Sequence, residues 1–283
     1  MKETLPDNSD AIITRHSIRG NHAEYEGLSE AGIEQAKERA KDFVDIIEKS
    51  EPGTVFFFAG RSDEERTGST MQIYVEEAEA LLKDRKDVVF FDREKIAEEA
   101  KHGYSAAVAA IQNEANENAG AKVVIDSPLV MKDFNKKEWF FAPDGSTLPG
   151  WEALMAKHGK DHTAIIRDWF ESQGVYNGEQ QIPKPAEIAE SYLNGVRRLQ
   201  DFAGQFSGDR KVKVVAVGHS LHLDAFLTYL ANDGVVDVAG FEKLGNEVVD
   251  TTEMSVIEPD QDGDLQLKYR GKEYKVGGEE GKE

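Results

Sequence analysis

Two histidines and three arginines carry the chemistry that this sequence could perform. His16 lies in TRHSIRGN between Arg15 and Arg19, His219 lies in VVAVGHSLHLDAF, and Arg66 lies in GRSDEERTGST. Each segment follows a short β-branched or aromatic run. Open α/β sheets bind ligands there, beyond the carboxyl ends of their strands. A histidine flanked by arginines suits phosphate, because guanidinium forks hold the phosphoryl oxygens while a neutral ring nitrogen attacks phosphorus. Any one of these residues is ordinary in a polar loop. Three strand ends sharing one chemistry point to a phosphate site. The chain has no cysteine, which removes thiolate nucleophiles, disulfides, iron–sulfur clusters and cysteine zinc sites.

Other constellations are weaker. Gly218-His219-Ser220-Leu221-His222 nearly spells the G-x-S-x-G nucleophile elbow, but His222 stands where the tight turn needs glycine. That fold also orders its triad serine, acid, histidine, and no histidine follows His222. His158 and His162 are four apart, as zinc ligands on a helix can be, but HGKDH lacks the metalloprotease glutamate and reads as a polar face. No metal site is expected. There is no P-loop and no G-x-G-x-x-G, so neither a nucleotide nor another cofactor is expected.

The elements that must position the histidines can be read from periodicity. Ala11–Thr14 and Val212–Val217 are strands that end just before His16 and His219. Val55–Ala59 is wholly apolar, as in a strand buried on both faces, and Val88–Phe91 is the next. Ser29 caps a helix with apolar positions at Ile33, Ala36, Ala40, Phe43 and Ile47, ended by Pro52-Gly53. A second helix carries Met71, Tyr74, Ala78 and Leu81 on one side. From about 100 to 185 the rhythm loosens. A helix with Tyr104, Val108, Ile111 and Ala115 and a strand around Val123–Ile125 lead into an aromatic stretch holding all three tryptophans. This section reads as an insertion or cap. Regularity returns with Ile188, Tyr192, Val196, Leu199 and Phe206 on a helix. Met254–Ile257 and Leu265–Tyr269 flank Asp262-Gly263 as a hairpin. The alternation predicts one α/β domain over 1–283, a three-layer sandwich with a mostly parallel central sheet and helices on both faces. GGEEGKE, 277–283, is expected to be a disordered tail.

These residues together resemble the histidine phosphatase superfamily, also called phosphoglycerate mutase-like. Arg15-His16 matches its R-H-G signature, and LSEAGIEQAKERA from Leu28 to Ala40 is similar to its L-T-x-x-G-x-x-Q-A helix start. Arg66 and Thr70 fit its R-A-x-x-T stretch, and His219 fits its second histidine. The resemblance covers roughly 10–100 and 185–270. It implies that His16 is the phosphorylated nucleophile, that Arg15, Arg19, Arg66 and His219 line the phosphate pocket, and that Asn21 stands for the family asparagine. The family also supplies a carboxylic acid after the third strand. FFDREKIAEEA offers Glu98 for that role, with Glu99 beside it. Ser17 departs from the pattern, since the family has glycine there.

The charge balance of −20 disfavours nucleic acid and anionic membranes, both polyanions. The first ten residues hold no apolar run, so a cytoplasmic location is expected. The expected activity is metal-independent hydrolysis of a small phosphomonoester through phosphohistidine. A phosphoglycerate-type mutase is the same-class alternative, and a phospho-ligand-binding protein without turnover is the other. Neither substrate identity nor oligomeric state is legible in the sequence.

Overall fold

A computed structural model describes residues 9–91, 93–127, 131–259 and 265–276. The first half of the chain forms β1 (Ser9–Arg15), α1 (Glu30–Lys49), β2 (Val55–Arg61), α2 (Glu65–Leu82), β3 (Val88–Phe91), α3 (Arg93–Ala100), α4 (Tyr104–Glu117) and β4 (Lys122–Asp126). Two 3-10 turns (Lys132–Phe134 and Lys137–Trp139) lead to α5 (Pro149–His158), α6 (His162–Ser172) and the short pair β5 (Val175–Tyr176) and β6 (Glu179–Gln180). Then come α7 (Pro185–Ser207), β7 (Val212–Gly218), α8 (Ser220–Ala231) and α9 (Val238–Lys243). β8 (Met254–Pro259), β9 (Leu265–Tyr269) and β10 (Lys272–Lys275) close the chain.

Eight strands make one sheet in the order β10-β9-β8-β1-β7-β2-β4-β3. From β1 to β3 neighbouring strands run parallel, and β8, β9 and β10 add antiparallel partners at the other side. The expected α/β architecture and the terminal hairpin are both present. The hairpin's turn, with Asp262-Gly263, lies outside the described residues, as does the tail from 277.

Each face of the sheet carries its own core. On one, α1 and α2 pack Ile33, Ala36, Ala40, Phe43, Ile47, Met71, Tyr74 and Ala78 against Phe56, Phe58 and Val215. The period-3.6 stripe of α1 is therefore buried where the spacing predicts. On α2 the stripe drifts by one residue, since Leu82 is buried while Leu81 is 54% exposed. On the other face α7 and α8 pack Tyr192, Val196, Leu199, Phe226 and Leu230 against Phe57 and Val214.

The stretch from 100 to 185 is not a single insertion, which corrects the boundary expected for the cap. Its first part returns to the sheet: β4 pairs with both β2 and β3, so it is a core strand. The departure from the layers starts after β4. There Trp139, Trp151, Trp169, Phe170 and Leu154 form a third apolar cluster seated on Ile188, Ala225 and Phe241 of α7, α8 and α9. Among the described residues no helix is long and apolar enough to cross a membrane.

Candidate active site

Register brings the two histidines together. In the parallel pair of β1 and β7, Arg15 stands opposite Gly218, so His16 and His219 leave adjacent strands at the same level. A hydrogen bond from the His16 amide to the Gly218 carbonyl, 3.0 Å, holds the first of them there. The rings meet edge to face with centroids 5.1 Å apart. β2 reaches the same place through an irregularity between Phe58 and Gly60 in its pairing with β7. Only glycine fits at position 60, where a Cβ would lie 2.5 Å from Leu199 Cδ1 and 2.7 Å from Ala216 Cβ. Ser62 follows directly and contacts His219.

Hydrogen bonds set the tautomer of each ring. The His16 Nδ1 sits 2.6 Å from the Ser17 carbonyl, which can only accept, so Nδ1 carries the proton and Nε2 keeps its lone pair. His219 is fixed the opposite way. Arg66 Nη2, which can only donate, approaches Nδ1 at 3.4 Å, and Nε2–H donates to Ser62 Oγ at 2.7 Å. Ser62 Oγ lies 3.1 Å from Thr67 Oγ1, which donates to the Glu64 carbonyl at 2.7 Å. A buried chain of two side chains, ending on a backbone carbonyl, thus orients His219.

Both rings are neutral. Burial pushes His16 down to about 3, and the positive charges of Arg66, Arg15 and Arg19 push in the same direction against its bond to Ser17. His219 is lowered well below the usual histidine value, first by burial and then by His222, His16 and the arginines. A neutral His16 with a bare Nε2 is the form that attacks an electrophile.

The arginines are held without being neutralised. Arg15 Nη1 donates to the Val249 carbonyl at 2.6 Å. Val249 is in turn anchored by its own amide, which donates to Asp224 Oδ1 at 2.6 Å, and Ser220 Oγ donates to Asp224 Oδ2 at 2.8 Å. Arg66 stands at the start of α2, where Gly27, at φ +80°, lets the preceding loop approach: a Cβ there would lie 2.8 Å from the Arg66 amide nitrogen. Its one carboxylate contact is loose, 3.6 Å from Nη1 to Glu64 Oε2. Arg19 is exposed at the mouth, on a loop bridged to Leu28. Three cations around a neutral ring have the charge to hold a dianion.

Ser17 explains its own departure from glycine. Its backbone is not in the left-handed region, so no glycine is required for the turn. The Ser17 amide donates to Thr70 Oγ1 at 3.1 Å, and its hydroxyl is shared between the Gly32 carbonyl, 2.6 Å, and the Gln35 side-chain oxygen, 2.9 Å. Thr70 and Gln35, two of the residues that carried the sequence resemblance, therefore brace the loop under His16.

The expectation for the general acid needs correction. Glu98 lies on α3, which follows β3 at the far edge of the sheet, and is exposed in an ion pair with Lys101. Glu99, beside it, is on the same edge helix. Glu64, in the turn after β2, is the carboxylate beside Arg66, while Asp224, Asp250 and Glu253 lie on the Arg15 side; sequence reading passed over all four. Asn21 is exposed in the loop after His16, outside the hydrogen-bonded cluster. His158 Nε2–H donates to the Asp168 carboxylate at 2.7 Å, a half-buried pair within the cap.

Neither a protein-family profile nor a curated sequence matches the chain. Solved structures do match in architecture. A mycobacterial glucosyl-3-phosphoglycerate phosphatase is 14% identical with a TM-score of 0.47, over 92% of this chain and 97% of its own. Phosphoglycerate mutase from Bacillus anthracis is 13% identical with a TM-score of 0.47, over 94% of each chain. Mycobacterial hydrolase 2 is 13% identical with a TM-score of 0.48, over 94% of this chain and 92% of its own. At these values the likeness carries no activity across, and the functional reading rests on the side chains described above.

Proposed function

We propose that this chain is a metal-independent phosphomonoesterase of the histidine phosphatase type, acting on a small phosphorylated substrate in the cytoplasm through a phosphohistidine. One observation carries this reading: His16 is buried, neutral and fixed by its Nδ1–H, with Nε2 bare beside Arg15, Arg19 and Arg66. Nε2 forms the bond to phosphorus as the ester P–O bond breaks. The arginines steady the charge spread over the phosphoryl oxygens, and His219, held by Ser62, accepts from Arg66 and so places its guanidinium. Glu64, beside Arg66, is the carboxyl that protonates the departing oxygen and then takes a proton from the water that releases phosphate.

Brief incubation with phosphorus-labelled substrate and an alkaline quench tests the covalent step. A phosphorus–nitrogen bond survives base and is lost in acid, so label should persist in base and vanish in His16→Ala. Label stable to acid but not to base would put the ester on a hydroxyl and overturn the assignment.

A further inference from the structure

His222 has no task in the chemistry above, yet it is the most buried histidine in the molecule. It is one turn along α8 from His219, 2% exposed, and both ring nitrogens are buried without a hydrogen-bond partner among the described residues. A neutral imidazole has one donor and one acceptor, and leaving both unmet when buried is costly. Its neighbours are rings: Trp139 and Phe140 of the cap, each with its centroid at 5.2 Å, and His219 at 5.7 Å. Phe140 stacks on Trp151 at 5.4 Å, so the aromatic wall continues into the cap core. The wall meets the phosphate cluster through His219, whose Nδ1 is the contact of Arg66.

We infer that Trp139, Phe140 and His222 form the leaving-group subsite, and that it takes a flat, uncharged aromatic or heteroaromatic group carrying a hydrogen-bonding substituent. This rests on the phosphoryl-transfer reading above and names the substrate class for that site. The aromatic rings offer faces for stacking and no charge. The nitrogens of His222, with the indole N–H of Trp139, offer this wall its directional polar contacts. Phe140 is half-buried at the base of a small hairpin, where Phe141 pairs with Thr147 and Phe141 itself is 46% exposed. Phe140, less buried than Trp139, is the ring whose displacement admits a ligand ring beside His222 and Trp151, while Trp139 stays in place on the other side of His222 with Lys136 over its face at 5.2 Å.

Binding to the His16→Ala protein, which cannot consume its ligand, tests this by calorimetry with ethyl phosphate, benzyl phosphate and meta-hydroxybenzyl phosphate. All three carry the same phosphate on a carbon of the same type, so differences report the subsite. Benzyl should bind about tenfold tighter than ethyl through ring stacking, and the hydroxyl should add about fivefold through His222. Trp139→Ala should erase the first ratio, and His222→Leu the second alone. Equal binding of the three ligands to His16→Ala overturns the inference while leaving the phosphate site standing. Failure of all three to bind overturns the phosphoryl-transfer reading itself. If either further variant does not fold, the two ratios in His16→Ala decide the matter unaided.

Discussion

Replacing His222 by leucine removes a buried neutral imidazole at roughly constant volume, and the consequence for stability depends on pH. Burial, with a smaller push from Arg66, holds His222 at about 3 in the folded chain, against about 6.5 when unfolded. The folded state therefore refuses a proton that the unfolded state accepts. This costs nothing well above pH 6.5, grows as pH falls through that value, and levels off near pH 3. At pH 5 the penalty is RT ln(1 + 10^1.5), about 2 kcal/mol, for any folded value well below 5. His16 and His219 act with the same sign, and Asp224 opposes them, so the wild-type slope alone is a mixture. The difference between wild type and His222→Leu isolates one group. Urea unfolding followed by tryptophan fluorescence at pH 7 and pH 5 should show the variant losing about 2 kcal/mol less than wild type over that interval. At pH 7 the variant should be as stable as wild type or more so, because leucine leaves no unmet nitrogen. Parallel pH slopes for the two proteins would mean that His222 is solvated or partnered in the folded state, and the aromatic subsite would lose its central observation.

Arg66→Lys should lower kcat/KM by about a hundredfold, nearly as far as Arg66→Ala, since an ammonium cannot fork between the phosphoryl group and His219 Nδ1. Near-normal turnover in the lysine variant would put Arg66 outside the pocket. Glu98→Gln should leave turnover within about twofold of wild type, because an exposed residue paired with Lys101 loses only a weak surface contact; a large loss specific to alkyl phosphates would restore it as the acid. Asp224 is raised to about 7, chiefly by burial, so its carboxylate costs the folded state progressively as pH rises from about 4 to 7. Wild type should therefore lose roughly 3 kcal/mol between pH 5 and pH 8 that Asp224→Asn does not lose, and a variant that loses as much would show that Asp224 does not titrate in this window.

The sequence by itself determined what depends on neighbours along the chain. The stripe from Ile33 to Ile47 buried one face of α1, the Ser29 cap began it, and the strand ends before His16 and His219 were legible because apolar runs stop at polar turns. Chemical type was enough to nominate Arg15, Arg19 and Arg66 for phosphate, and all three lie around the His16 ring. Only the tertiary structure decided what depends on strand order. Glu98 follows a strand as the family pattern asks, but β4 returns between β2 and β3 and carries that strand to the sheet's edge. Ser62 and Asp224 lie inside the segments that carry Arg66 and His219 but, like Val249, gain their roles only by contacts across the sheet, such as Ser62 to His219 and Arg15 to Val249. His222 looked like a flaw in a serine motif and proved to be an unpartnered ring under the cap. Periodicity is a local property set by the geometry of one helix or strand. Hydrogen-bond partners hundreds of residues apart are set by which strands pair, and that is chosen by the burial of the whole core at once.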